Sequence, residues 1–316
     1  MVTQSLLNQY RREVESASND ARNYLIAVTK AYLEENPSAD VAEIRNFAIR
    51  AIQDGVNVFG DQAKVIANDF FDTLAEQNGS KATSEIFDTL DAGMMEDKVH
   101  YYARSIAEGN IDKFIDDISN LTGYYVKREA FCNMAKNCNK QGLRYARVPS
   151  GKETCAFCFM LCSRGFVYWT EKTAGGEGYE YHTNCDCIIV PGFYRGYWNM
   201  EAMDDQVEGY TPSELYARYK QCSDVARKTA GGTPTEEQIL EEIKKRDTQW
   251  LWTGKSSAKE TITRAEYAKI TSAINTVYKA RFEGKTSSIF YYGDYGYKIK
   301  INNFDDYEIE RKWRIE

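Results

Sequence analysis

Apolar positions in the first 140 residues recur at steps of three and four, the spacing that places them on one face of an α-helix. Over residues 3–36 this pattern predicts one long helix, which should stop at Asn36-Pro37 because proline cannot continue a helix. The apolar seam of that helix consists of Leu7, Tyr10, Val14, Ala17, Ala21, Tyr24, Val28 and Ala31.

A second helix is predicted to begin at Asp40, because Asp40 and Glu43 have the spacing of a capping box. Its apolar stripe shifts by one position near Gly55, which predicts a kink or break between Gly55 and Gly60. The helix is expected to end at Asn78-Gly79, a common C-terminal signal.

Two further helical stretches are predicted, from Ser84 to about Glu108 and from the N-cap Asn110 to about Asn137. With short connections, the four helices would form an antiparallel bundle in residues 1–140. Histidine His100 is expected to be a packing or surface residue. The cysteines outside the central segment are also expected to be packing residues: Cys132, Cys138 and Cys222.

The periodicity changes after residue 140, where short runs typical of strands replace the helical pattern. Strands are predicted at 143–148, 166–170 and 187–190, with a helical turn at 159–163 closed by Gly165. Such a small β unit cannot bury much apolar surface by itself, so it needs a second source of stability.

The C-terminal part begins with the linker Thr229–Thr233. A helix is predicted to follow, with Thr233 as N-cap, proline at the first helical position and Glu236 three residues after the cap. A second helix is predicted at 263–282. Alternating apolar and polar residues then predict three antiparallel strands, at 288–292, 297–301 and 307–315.

These patterns together predict an α+β protein that is mainly α. Residues 1–140 would form a helical bundle and residues 141–228 a central domain with a small β unit stapled by zinc. Residues 229–316 would form an accessory domain, consisting of a C-terminal helix plus a three-stranded antiparallel sheet.

Five side chains that favour Zn²⁺ lie in the central segment, as Cys155-x-x-Cys158 and His182-x-x-Cys185-x-Cys187. A C-x-x-C turn brings two sulfurs to one side, and the second cluster can complete a tetrahedral site from elsewhere in the fold. We therefore predict a structural zinc. Cys155 and Cys158 come first as ligands and Cys185 next, while His182 and Cys187 compete for the fourth position.

Reduced, buried cysteines and a disulfide pair are the alternatives to a metal site. A catalytic zinc is disfavoured, because His182 is followed by Thr183 and Asn184, not by the x-Glu of nucleobase deaminases. The metalloprotease motif H-E-x-x-H is also absent, and the chain has only 2 histidines.

The central segment carries the order R-V-P-S-G-x-E-T-C-x-x-C from Arg147, then L-C-S-R-G-F-V-Y, then H-x-N-C-x-C-x-x-V-P. This order resembles phage minor head proteins of the Mu F-like type. The specific motifs lie between Arg147 and Phe193, and the resemblance in architecture covers about residues 1–225. Family members usually have a basic residue between the last two cysteines, where this chain has Asp186.

The resemblance implies a head-morphogenesis component of the virion, located inside the capsid at or near the portal vertex and made in the host cytoplasm. Its partners would be the portal protein, the major capsid protein or both, and contact with packaged DNA stays open. This role is one of binding, without a small-molecule substrate.

Charge and hydropathy limit the other classes of function. The net charge is −7, and the acidic residues concentrate before residue 255, which argues against duplex-DNA binding by the bulk surface. No apolar run approaches the ~20 residues that a membrane helix needs.

The alternative class is an enzyme, either a zinc-dependent hydrolase at the central cluster or a toxin-like nuclease or hydrolase in the C-terminal part. Glutamate with arginine or lysine can perform acid–base chemistry, although such residues also form ordinary solvated strand faces. The candidates in the C-terminal part are Asp294, Asp305, Asp306, Glu308, Glu310, Lys298, Lys300, Arg311 and Arg314.

Overall fold

The computed structural model describes most of the first 245 residues and three strands near the C-terminus. The ranges are 1–90, 92–149, 154, 156–170, 172–174, 187–193, 200–204, 206–245, 287–291, 297–301 and 307–311. For the last three ranges only the backbone is described.

Five helices make up the N-terminal part: α1 (Gln4–Glu35), α2 (Val41–Gln77), α3 (Ala92–Tyr102), α4 (Arg104–Ala107) and α5 (Ile111–Lys140). The long helices α1, α2 and α5 pack pairwise against one another, while α3 and α4 are short and lie at the side. The predicted bundle is therefore present, but three long helices form it instead of four.

Helix α1 confirms the long helix predicted at 3–36, and Thr3 accepts the capping hydrogen bond from the Leu6 amide. The predicted seam is buried as far as Ala21, but then Leu25 and Thr29 are buried in place of Tyr24 and Val28. A straight helix has 3.6 residues per turn, so a seam with a period of 3.5 drifts around it. The last predicted seam residue, Ala31, is exposed for the same reason.

Helix α2 begins with the predicted capping box, in which the Glu43 amide donates to Asp40 and the Asp40 amide donates to Glu43, both at 2.9 Å. The predicted break between Gly55 and Gly60 does not occur, because both glycines serve close helix packing. A Cβ on Gly60 would lie 3.0 Å from the Glu129 side chain on α5. The shift in the apolar stripe therefore reflects contact with neighbouring helices.

The helix predicted from Ser84 is wrong in its first part: residues 80–90, here called the strap, have no regular secondary structure. Side chains of α5 hold the strap by its backbone. Asn133 accepts from the Phe87 amide at 2.8 Å, and Asn137 accepts from the Glu85 amide at 2.7 Å and donates to the Glu85 carbonyl at 2.9 Å. Bonds to these side-chain amides replace the bonds of a helical turn.

A buried ion pair joins the strap to two long helices. The Lys64 ammonium on α2 lies 2.9 Å from the Glu129 carboxylate on α5, and the hydroxyl of Thr89 in the strap also donates to that carboxylate. Lys64 makes a second contact with Asp61 at 3.1 Å. Both Lys64 and Glu129 are buried, so each charge depends on its partner for solvation.

The central part contains β1 (Arg144–Pro149), α6 (Ala156–Cys162) and β2 (Cys187–Gly192), with β1 and β2 paired antiparallel. The strand predicted at 166–170 is reduced to one bridge, in which Tyr145 and Tyr168 exchange backbone hydrogen bonds of 3.0 and 3.1 Å. The helical turn predicted at 159–163 begins earlier, because helix α6 runs from Ala156 to Cys162 and includes Cys158.

Helices α7 (Met200–Met203), α8 (Pro212–Ala230) and α9 (Glu236–Lys245) follow. The predicted cap of α9 is shifted by two residues: the hydroxyl of Thr235 accepts from the Gln238 amide, and the Gln238 side chain accepts from the Thr235 amide. A complete capping box thus forms at Thr235, where sequence reasoning placed it at Thr233.

The buried core of the described chain is continuous from Val2 to Ile243. Val2 pairs with Val207 as an isolated parallel bridge, so the start of the chain is attached to the segment between α7 and α8. Helix α9 packs against α6 and α8. The elements on either side of residue 140, and those on either side of residue 228, therefore share one core. The division into domains at these two residues stays a prediction.

Three strands are described near the C-terminus: β3 (Ser287–Tyr291), β4 (Tyr297–Ile301) and β5 (Tyr307–Arg311). They pair antiparallel in the order β3-β4-β5, with an irregular register between Lys298 and Ile299. The helix predicted at 263–282 lies outside the described residues. Within the described chain, no helix has the length and apolar character needed to cross a membrane.

Replacing Asn137 with alanine should lower the free energy of unfolding by about 1–3 kcal/mol, because the Glu85 amide and carbonyl lose their buried partner. Amide exchange at Glu85 should also accelerate. Chemical denaturation and hydrogen exchange check both effects. The matched control is Asn139→Ala on the same helix, which removes one exposed bond of 3.2 Å to Trp169. Equal effects from the two variants would contradict the role of the strap contacts.

Replacing Lys64 with methionine should cost about 3–5 kcal/mol, because Glu129 keeps a buried charge without its ammonium partner. Urea denaturation measures the difference. The control Lys127→Met removes a more exposed pair with Glu15 and should cost about 0–1 kcal/mol. A loss for Lys64→Met that does not exceed the control would contradict the account.

The same ion pair predicts a pH dependence. Burial lowers the pKa of Lys64, but hydrogen bonds and charges from Glu129 and Asp61 outweigh burial and raise the pKa above its ordinary value of 10.5. A raised folded-state pKa stabilises the protein fully below the ordinary value, and this contribution is lost as the pH rises through the folded-state pKa. Above neutral pH, the stability difference between wild type and Lys64→Met should therefore persist until the pH becomes strongly alkaline.

Candidate metal centre

Two cysteine sulfurs meet in the interior of the central part. Cys158 lies on α6 and Cys187 is the first residue of β2, and neither is exposed to solvent. Their Sγ atoms are 3.7 Å apart. The chain thus brings together one cysteine from each of the two predicted ligand clusters, 29 residues apart in sequence.

Arg147 completes this group, here called the sulfur cluster (Arg147, Cys158 and Cys187). Its Nε and Nη2 donate to the Cys187 sulfur at 3.0 and 2.7 Å, and Nη2 lies 3.7 Å from the Cys158 sulfur. The third nitrogen, Nη1, donates to the carbonyl oxygen of Ala174 at 2.8 Å. Arg147 is fully buried, which is rare for an arginine without specific partners.

Strand register explains why Arg147 and Cys187 meet. Arg147 is paired with Ile189, and Pro149 is paired with Cys187. Arg147 and Cys187 are therefore diagonal neighbours across the two strands, and residues at such positions share one face of the sheet. Helix α6 packs against β1 and brings Cys158 to the same place.

Hydroxyl groups fix the C-terminal end of α6. Tyr168 donates to the Leu161 carbonyl and Tyr210 to the Cys162 carbonyl, both at 2.6 Å, and Ser163 donates to the Met160 carbonyl at 2.8 Å. The last carbonyls of a helix have no partner within the helix, so a buried helix end needs such donors. Burial raises the pKa of the Tyr168 hydroxyl, which keeps it protonated and able to donate.

The distance between the two sulfurs fits a tetrahedral metal site. Sulfurs bound to one zinc at about 2.3 Å each lie about 3.8 Å apart in tetrahedral geometry. The 3.7 Å between Cys158 and Cys187 agrees with that value, although it also suits two thiols in direct contact. Sulfur is a preferred ligand of soft cations, and two cysteine sulfurs lie together here.

The other predicted ligands, Cys155, His182 and Cys185, lie outside the described residues. Among the residues that are described, no group of three or more His, Cys, Asp or Glu side chains could hold a metal ion. Sequence reasoning placed Cys187 in competition with His182 for the last position, whereas the structure places Cys187 beside Cys158. The full ligand set stays a prediction.

The remaining cysteines of the described chain are buried packing residues: Cys132, Cys138, Cys162 and Cys222. Burial raises the pKa of the Cys138 thiol, which keeps it protonated and unreactive. His100 lies exposed on α3, in line with a surface residue.

Sequence reasoning did not identify the roles of Arg147, Tyr168 and Tyr210. Arg147 was visible only as the first letter of the R-V-P-S-G motif, without a function. Arg147 and Tyr145 are two residues apart on β1, so the sequence could have indicated that they share one face of the strand. Only the register with β2 shows that Cys187 lies on that face.

The fold and the sulfur cluster define a mainly helical protein with a small β unit organised around buried cysteines. A family model described as VG15 protein matches residues 1–222 of the 316 residues. The chain therefore belongs to the VG15 family, and the match includes the helical part, both strands of the β unit and the sulfur cluster.

Two curated relatives have the name Gene 15 protein. The protein from Mycobacterium phage D29 is 32% identical over 89 residues, which covers 20% of this chain and 32% of the relative. The protein from Mycobacterium phage L5 is 32% identical over 89 residues, which covers 17% of this chain and 30% of the relative. The chain spans about a third of the length of these relatives, and no solved structure matches it.

Proposed function

We propose that this chain is a minor head protein of a phage, a virion component that acts by binding during head assembly. Membership of the VG15 family supports this function, because the two matched relatives are gene products of phages. The resemblance of the motifs between Arg147 and Phe193 to those of Mu F-like proteins supports the finer assignment to head morphogenesis. Its proposed place is inside the capsid, at or near the portal vertex.

The extent of the family match is the observation that carries the proposal. The match ends at residue 222, within α8, and so covers nearly all of the body that shares one continuous core. The family function should therefore reside in the helical part and the β unit. The proposed accessory domain, a C-terminal helix plus a three-stranded sheet in 229–316, lies beyond the match.

We further propose that the sulfur cluster belongs to a structural zinc site. Cys158 and Cys187 would supply two ligands, and two of Cys155, Cys185 and His182 would complete the set. When bound, zinc would cross-link α6 to β2 and thereby stabilise a β unit with only two short strands in the described chain. The proposed role is structural, and the proposed mode of action is binding without catalysis.

The partners proposed for this chain are the portal protein and the major capsid protein. Large exposed apolar side chains on the described surface offer contact sites for such partners, because burying them on association is favourable. We expect partner cross-links near these side chains: Val58, Val65, Ile86, Tyr101, Trp169 and Tyr216.

Mass spectrometry of purified phage particles should detect this chain at a fixed ratio to the portal protein. Cross-linking in intact particles should join it to the portal or to the inner face of the capsid, and it should resist protease added outside. The control is a phage replication protein from the same lysate, which should be absent from the particles. A chain found only in the soluble fraction, or cleaved from the outside, would contradict the proposal.

Purified protein should contain about one zinc per chain, and the double variant Cys158→Ser with Cys187→Ser should contain almost none. The melting temperature of the double variant should also be lower than that of the wild type, because a structural zinc contributes on the order of 10 kcal/mol to folding. Elemental analysis and thermal denaturation measure the two effects. The matched control is Cys138→Ser, which changes a buried cysteine on α5.

The control should retain its zinc even if it loses some stability. Wild-type protein that is folded and free of zinc would contradict the proposed metal site while leaving the proposed head function open. A disulfide between Cys158 and Cys187, detected by mass spectrometry of the unreduced protein, would contradict it in the same way.

A further inference from the structure

We infer that Arg147 is the positioning residue of the sulfur cluster: it holds the Cys187 and Cys158 sulfurs for the metal and offsets their negative charge. This inference rests on the proposed zinc site and adds to it a residue that none of the predicted ligand clusters contains. It assigns Arg147 to the layer of contacts around the ligands, where a hydrogen-bond donor orients each ligand.

The guanidinium geometry supports this role. Two adjacent nitrogens, Nε and Nη2, converge on the Cys187 sulfur at 3.0 and 2.7 Å, which is the two-pronged contact that arginine makes with anionic acceptors. The bond from Nη1 to the Ala174 carbonyl prevents rotation of the guanidinium plane. The sulfur is thus held in one place by a donor group that is itself held in place.

Charge supports the same role. Arginine stays protonated at every physiological pH, so its burial is costly unless negative charge lies nearby. Zinc bound by three or four cysteine sulfurs is a complex with net negative charge, since each sulfur contributes −1 and the metal +2. One buried guanidinium in contact with two of those sulfurs would reduce that charge, so the arginine and the metal complex stabilise each other.

The fold explains why a residue of β1, Arg147, contacts the Cys187 sulfur. The register that pairs Pro149 with Cys187 fixes Arg147 one diagonal step from the sulfur. Because β1 also packs against α6, the same side chain reaches towards Cys158. The strand pair therefore brings the donor and one ligand together.

Replacing Arg147 with methionine tests the inference, because methionine keeps the length of the side chain and removes the donors and the charge. Zinc affinity should fall about 10- to 100-fold, the usual effect of losing such a partner, and zinc release to a chromogenic chelator should become faster. The thiolate-to-metal absorption of the cobalt-loaded protein should also shift. Arg147→Lys, which keeps the charge but not the fork of donors, should fall between wild type and Arg147→Met.

The matched control is Arg144→Met on the same strand, where the guanidinium stacks on the Trp169 ring with 5.1 Å to its centroid. It should leave zinc release and the cobalt spectrum unchanged. Circular dichroism of every variant should show the helical signal of wild type. If Arg147→Met fails to fold, Arg147→Lys serves as the test of release rate and spectrum.

The outcomes separate the inference from the proposed site. Zinc in the wild type with equal release from the Arg147 and Arg144 variants overturns the inference and leaves the zinc site standing. Wild-type protein without zinc overturns both. Faster release and a shifted cobalt spectrum, confined to the Arg147 variants, support the inference.

Discussion

The contact between the Arg147 guanidinium and the Cys187 sulfur is the interaction on which the central part depends. It joins β1 to β2 on one face of the sheet, and Nη2 of the same guanidinium also lies 3.7 Å from the Cys158 sulfur on α6. A pair of six-residue strands is barely stable alone, so the sheet needs this cross-link and the packing of α5 and α6. Hydroxyl donors from Tyr168 and Tyr210 then fix the end of α6, which holds one of the two sulfurs.

The helical part uses polar contacts in a similar way. Apolar seams pack α1, α2 and α5 together, but the position of the strap depends on side-chain amides and on the buried pair of Lys64 with Glu129. Buried polar groups of this kind are costly when unpaired, so they specify one arrangement more strictly than apolar contacts do. The helical part and the β unit share one continuous core, so the polar contacts of both act within the same packed body.

The sequence predicted correctly those helix starts that depend on residues only a few positions apart. The capping box at Asp40, the cap at Asn110 and the long helix after Thr3 are confirmed, because each depends on neighbouring residues only. The strap was mistaken for helix, since its partners lie on α5, more than 40 residues away. The meeting of Cys158 with Cys187 followed from ligand chemistry, but the role of Arg147 required the strand register, which local sequence does not contain.

The structural zinc proposed at the sulfur cluster is best examined by zinc K-edge X-ray absorption on purified wild-type protein. We expect a first shell dominated by sulfur at about 2.3 Å. A first shell of nitrogen and oxygen alone, or a folded protein without a zinc edge, would contradict it.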